Sequence, residues 1–212
     1  MSPRLIERLK QIERLEGWCT HAKAIHFAEL ILQRKPSLCV EIGVWGGRGA
    51  IAMGMACQEV GAGEVIGIDP WTPAAALEGG VSPEHDEWWA KVDYGAIQRG
   101  ADAARFALGV EDVVRFIPKH DTEVLGEFTD GSIDILHLDS NHAEVTSVRS
   151  VRDWVPKLKI GGVFVMDDTT WPTTQRAIEL LRNDLGTRHV STHDMTDSAG
   201  TVNGQYMVFQ KL

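Results

Sequence analysis

The chain opens on a helical rhythm. Leu5, Leu9 and Ile12 form an apolar stripe that ends near Gly17, which predicts a first helix. A second is predicted over 21–34, stopped by Pro36. The period then changes. Leu38, Cys39, Val40 and Ile42 make a short run of strand formers, followed by the glycine cluster GVWGGRG and a small-residue helix from about Ala50 to Val60. Four more apolar runs follow: EVIGID, ending in Asp69; VVRFI, ending near His120 and Asp121; SIDILHLD, ending at Asp139; and GGVFVMDD, ending in Asp167 and Asp168. Helical segments separate them, most clearly from Glu144 to Lys157. Near-continuous apolar strands alternating with helices predict a parallel sheet covered on both faces.

The tail breaks this alternation. TTQRAIELLRND reads as a helix, and RHVSTHDM and GQYMVFQK read as strands separated by the turn-rich TDSAGTVN, so a closing antiparallel hairpin is expected. Residues 71–110 form an insertion between the second and third strands. Within it Ser82 and Pro83 open a helix that carries Trp88 and Trp89. A length of 212 residues suits a single domain, with 1–36 as amino-terminal helices and 71–110 as a lid or substrate insertion.

Composition narrows the function. With 43% apolar and 24% charged residues the chain is of ordinary globular make-up, which argues against disorder or a coiled coil. A net charge of -9 disfavours a broad basic face for nucleic acid, so a small molecule is the expected partner, and a homo-oligomer is left open. Cys19, Cys39 and Cys57 lack metal or redox spacing and read as reduced thiols. The first residues mix both charges without an apolar signal core, and no run reaches ~18 apolar residues. A cytoplasmic protein with no membrane partner is expected.

Candidate chemistry gathers at the strand ends, where doubly wound sheets bind ligands. The loop EIGVWGGRGA allows close backbone approach and precedes a helix with free N–H groups. It lacks the Gly-Lys-Ser/Thr of a P-loop and the G-x-G-x-x-G spacing, so a plain nucleoside cofactor fits better than a pyrophosphate. Asp69 is placed to accept ribose hydroxyls. Trp71, just beyond, either stacks on a purine or covers the loop. Asp139, Asp167 and Asp168 would repel one another at adjacent strand ends unless a cation neutralised them, and an all-oxygen set suits Mg²⁺ or another divalent ion. The plainer alternative is that one or two cap a helix or stay solvated. His142, three residues after Asp139, suits a general base. His137-Leu138-Asp139, with a distant His193, could instead form an iron-binding triad. The strand-helix alternation argues against the usual framework for such triads, and His137 reads as a satisfied core histidine.

The succession VEIGVWGGRGA, VIGIDPW, IPKHDTE and SIDILHLDSNHAEVTSVRSVRDWVPKLKIGGVFVMDDTTW resembles class I S-adenosylmethionine-dependent methyltransferases. Within them it is similar to the macrocin O-methyltransferase-like small-molecule enzymes and, more distantly, to catechol O-methyltransferase, over about residues 37 to 170. The resemblance implies a Rossmann-like, doubly wound seven-stranded sheet whose last strand is antiparallel. It implies that Glu41 and the backbone around Gly43 and Gly46 hold the methionine part of S-adenosylmethionine. Asp69 would take the ribose hydroxyls, and His120, Asp121 and Thr122 would border the adenine. Asp139 would serve cofactor and metal alike, with Asp167 and Asp168 as further metal ligands and His142 as the base. Family members often carry Asp-Gly-Asp-His where this chain has Asp139-Ser140-Asn141-His142, so a second acid is missing. The expected activity is Mg²⁺-assisted methylation of a hydroxyl on a sugar, phenol or other natural product. The rivals are a non-haem iron oxygenase using His137 and Asp139, and a methyltransferase-fold binding protein without turnover.

Overall fold

The computed structural model describes residues 1–196 and 200–212. Asp197, Ser198 and Ala199, within the expected hairpin turn, lie outside the described residues. The strands are β1 (Leu38–Ile42), β2 (Glu64–Ile68), β3 (Val114–Ile117), β4 (Ile133–Leu138), β5 (Leu158–Met166), β6 (Thr187–Thr196) and β7 (Val202–Lys211). They form one sheet in the order β3-β2-β1-β4-β5-β7-β6. Pairing is parallel from β3 through β5, while β7 runs antiparallel to both β5 and β6. The doubly wound arrangement with a closing hairpin is as the sequence led us to expect.

Helices α1 (Pro3–Leu9), α2 (His21–Arg34) and α3 (Arg48–Val60) cover one face, because the apolar sides of all three join Cys39, Val65, Ile135 and Val165 in one core. The insertion supplies α4 (Pro73–Ala76), α5 (Pro83–Trp89) and α6 (Tyr94–Ala107). Helix α7 (Asp121–Val124) follows β3, and α8 (Glu144–Trp154) and α9 (Gln175–Asn183) cover the opposite face against Val40, Ile66, Leu136 and Phe164. Alternate residues of β1, β2, β4 and β5 thus enter two separate cores, which is why these strands read as continuous apolar runs.

Boundaries differ from expectation in three places. The first helix is shorter than its stripe: α1 ends at Leu9 and a 3₁₀ turn over Lys10–Arg14 carries Ile12 into the core. The helix expected to reach Lys157 ends at Trp154, where Pro156 offers no N–H, and continues as a 3₁₀ turn. Strand β5 starts at Leu158, ahead of the glycine pair with which the expected run GGVFVMDD opens. Among the described residues no helix is long and apolar enough to cross a membrane.

Candidate active site

The sheet's ladder continues one residue past the strands and aligns the site. Gly43 N–H donates to Ile68 O, Asp69 N–H to Ile117 O, Asp139 N–H to Ile42 O and Asp167 N–H to Leu138 O. These residues form one row at the carboxyl edge, across the β1/β4 boundary where strand order reverses. Over this row lies a cleft of about 380 Å³, closed on the far side by residues of the insertion and by Trp171.

The glycine loop forms its near wall. Gly43 has φ +87°, and a Cβ there would sit 1.9 Å from the Asp139 carbonyl oxygen, so only glycine lets the β1 loop pass the end of β4. Asp69 organises this loop. Its Oδ2 accepts from the Val44 and Trp45 N–H groups, both at 2.9 Å, and its Oδ1 from Trp71 N–H at 2.8 Å. Burial raises the Asp69 carboxyl above its ordinary range against the pull of these bonds. Oδ1 retains acceptor capacity for one further donor.

Three of the expected cofactor residues do not line the cleft. Gly46 is not part of the cleft wall: a Cβ there would lie 2.3 Å from the Glu16 carbonyl oxygen, so its smallness serves the amino-terminal segment. Trp71 covers the loop, with its Nε1 donating to Trp45 O at 3.0 Å and its ring against Phe116. Thr122 lies outside the cleft, its hydroxyl 2.9 Å from His120 Nδ1. His120 and Asp121 do line it, Asp121 accepting from Trp154 Nε1 at 2.9 Å. His120 also meets Glu78 of the insertion, which Arg149 grips through two bonds of 2.6 and 3.1 Å. Asn141 ties the same segment down by donating to the Ala75, Ala76 and Glu78 carbonyls, a role beyond that of a helix start.

Beneath the row lies a buried polar chain. Glu41 and His137 are register partners on β1 and β4, so their side chains share a face. His137 Nδ1 is 2.8 Å from Glu41 Oε1, and Glu41 Oε2 accepts from Ala50 N–H at 2.7 Å. Lys23, from α2, approaches His137 Nε2 to 3.0 Å and contacts Asp167 Oδ2. An ammonium can only donate, so Nε2 accepts from Lys23 and Nδ1–H donates to Glu41. His137 is therefore a satisfied core histidine. Burial alone would lower the Lys23 ammonium, but Asp167 and then Asp139 hold it above the usual lysine range. Burial likewise favours neutral Asp167, and Lys23 overrides it, keeping that carboxyl well below its usual range. Lys23 is the main residue that sequence reading missed. The available signal was its place on the buried stripe of α2 with Phe27 and Ile31.

The three aspartates do not converge as one set. Among the described residues, His137, Asp139 and Asp167 bring donor atoms within 4.8 Å of one another, and so do Asp139, His142 and Asp168. Asp168 has φ +52°, and this left-handed turn separates two adjacent carboxylates: Asp167 to Lys23, Asp168 to His142. His142 Nε2 lies 2.8 Å from Asp168 Oδ2, while its Nδ1 has no partner among the described residues. The expected all-oxygen ligand set therefore does not fit, since Asp167 is already engaged by a cation. The Asp139, His142 and Asp168 group is the one whose mixed donors could hold a divalent ion without displacing Lys23.

Sheet order, glycine loop and strand-end acids together define a class I methyltransferase fold. Residues 40–169 match the family described as "Methyltransferase domain", and the chain belongs to that family. No curated protein matches the sequence. Among solved structures it is similar to the Bacillus cereus O-methyltransferase in complex with SAH, at 13% identity over 100% of this chain and 92% of that one, with a TM-score of 0.68. It is also similar to TomG, the Streptomyces achromogenes O-methyltransferase involved in tomaymycin synthesis, at 15% identity, 100% and 92% coverage and TM-score 0.68. The SAH-bound Podospora anserina methyltransferase PaMTH1 gives 14% identity, 100% and 89% coverage and TM-score 0.67.

Proposed function

We propose that the protein transfers the methyl group of S-adenosylmethionine to a hydroxyl of a small molecule, with His142 as general base. The observation that carries this reading is the His142–Asp168 pair at the edge of the cleft of a methyltransferase-family chain. The similar O-methyltransferase structures with SAH or SAM bound support the cofactor. S-adenosylmethionine supplies an electrophilic methyl on a sulfonium and leaves as the neutral thioether. On the protein side, Gly43 lines the cleft where the β1 loop passes the end of β4, and Asp69 Oδ1 keeps acceptor capacity for one ribose hydroxyl. His120 and Asp121 border the nucleoside end.

In the proton step, the Asp168 carboxylate accepts from His142 Nε2–H, which fixes the tautomer and leaves the unpartnered Nδ1 basic; Nδ1 is buried in this structure, so the acceptor reaches it only as the ring shifts on binding. His142 takes the acceptor's proton as its oxygen forms the bond to the methyl carbon and the carbon–sulfur bond breaks. Asp168 then stabilises the imidazolium. His85, Trp88, Trp89 and Trp171 form an aromatic wall next to His142, with Trp171 and His142 ring centres 4.9 Å apart, which suits a flat or apolar acceptor face and excludes water. Residues 71–110 act as the cover over this side, and the acceptor is a small molecule, not nucleic acid or membrane.

A second reading has one specific support: Asp139, His142 and Asp168 converge within 4.8 Å, so a divalent ion such as Mg²⁺ could bind there. That would make His142 a ligand and remove the base. The test is S-adenosylhomocysteine production from a panel of phenolic and sugar acceptors, with wild type and His142→Ala, in Mg²⁺ and in EDTA. Turnover in EDTA that His142→Ala abolishes supports the base; turnover only with Mg²⁺ supports the ligand.

A further inference from the structure

We infer that the Lys23 ammonium is a built-in cation at the carboxylate row, standing where a divalent metal would neutralise Asp139 and Asp167, so that this site works without a metal. The inference rests on the proposed methyl transfer for its purpose but not for its geometry. The Lys23 side chain is only 1% exposed although lysine is among the residues least often buried. Its nitrogen contacts Asp167 Oδ2 and lies 3.9 Å from Asp139 Oδ2 and 3.0 Å from His137 Nε2. The Phe27 and Tyr206 rings flank it at 5.5 and 5.3 Å, a cation-binding arrangement in its own right.

Charge bookkeeping points the same way. Asp139 and Asp167 share the floor of the cleft with the buried Glu41, and such carboxylates ionise together only with positive charge nearby. A metal would supply it from solvent, whereas Lys23 supplies it from the fold. A divalent ion between Asp139 and Asp167 would face an ammonium already in contact with one of its ligands. The remaining carboxylate, Asp168, is engaged by His142. Lys23 also couples the amino-terminal helices to the site: α2 delivers it, and the Thr20 hydroxyl caps that helix by accepting from Lys23 N–H.

The test measures Mn²⁺ uptake by the whole chain, read by electron paramagnetic resonance of the free ion, for wild type and Lys23→Met. Wild type is expected to take up no stoichiometric Mn²⁺ at 1 mM on the order of ordinary weak-site conditions, and Lys23→Met to take up one ion per chain at least tenfold more tightly. Stoichiometric uptake by wild type, at either donor cluster, overturns the inference, as does a folded Lys23→Met that binds no better than wild type. Should Lys23→Met fail to fold, wild type still decides: an equal melting temperature in MnCl₂ and in EDTA is expected, and a clear rise with MnCl₂ contradicts it. Titration of the same wild-type sample with S-adenosylhomocysteine separates the two claims, because absent cofactor binding tells against methyl transfer and leaves the Mn²⁺ result to judge Lys23 alone.

Discussion

His142 Nε2 and Asp168 Oδ2 stand 2.8 Å apart, joining the loop after β4 to the left-handed turn after β5. The pair gives the ring one tautomer and one orientation. His142→Ala is expected to lower turnover roughly 10²- to 10⁴-fold, the range for loss of a general base. Asp168→Asn, whose new side chain tolerates positive φ, is expected to lower it by a smaller factor because orientation survives and charge does not. Steady-state kinetics check the order, with cofactor affinity unchanged in both variants. A larger loss for Asp168→Asn than for His142→Ala would contradict it.

Asp69 holds the glycine loop by accepting from Val44, Trp45 and Trp71 N–H groups. Asp69→Ala leaves these donors without their partner, at a cost of about 1–3 kcal/mol each where they stay buried. Weaker S-adenosylhomocysteine binding, by at least tenfold, together with a lower melting temperature is the expected result. Unchanged affinity by calorimetry would show that the loop does not depend on this carboxylate.

Gly43→Ala puts a Cβ against the Asp139 carbonyl oxygen at a residue with φ +87°. The left-handed backbone alone costs roughly 1–2 kcal/mol for an L side chain, and the clash adds to it. Chemical denaturation is expected to show a loss above that figure, with cofactor binding weakened as β1 and β4 are pushed apart. A loss of less than about 1 kcal/mol would mean that the strand ends separate easily.

His26 gives the fold a pH dependence. Its Nδ1 is 2.7 Å from the Tyr206 hydroxyl oxygen and its ring 4.3 Å from that of His193. Burial, followed by His193 and Lys23, pulls its pKa down from 6.5 to about 4. The folded value is the lower one, so the unfolded chain binds more protons between those limits. Stability therefore falls as pH drops from about 6.5 and levels off below about 4. The ring is only partly buried, and screening limits the effect to ~1–2 kcal/mol. Urea unfolding across this range is expected to show a shallower decline for His26→Gln than for wild type. Parallel curves would rule His26 out as the cause.

The strands and their order of appearance were legible because the central strands are largely apolar on both faces and three of them, β2, β4 and β5, run straight into an acid, at Ile68-Asp69, Leu138-Asp139 and Met166-Asp167. Side-chain direction was less so. Asp167 and Asp168 are neighbours in sequence, and only the positive φ at Asp168 assigns them to different partners. Trp71 could equally have faced a purine until the Trp45 carbonyl was seen to take its N–H. Lys23 was hidden for another reason. A lysine on an apolar stripe usually carries its charge out to water, and its partner Asp167 is 144 residues away, a contact that no local period encodes.

The central claim is tested most directly by calorimetric titration of the whole chain with S-adenosylhomocysteine in EDTA, alongside Asp69→Ala. One site per chain, weakened at least tenfold by Asp69→Ala, is the expected result. No binding by folded wild type, with or without Mg²⁺, would contradict the assignment of the cleft to this cofactor.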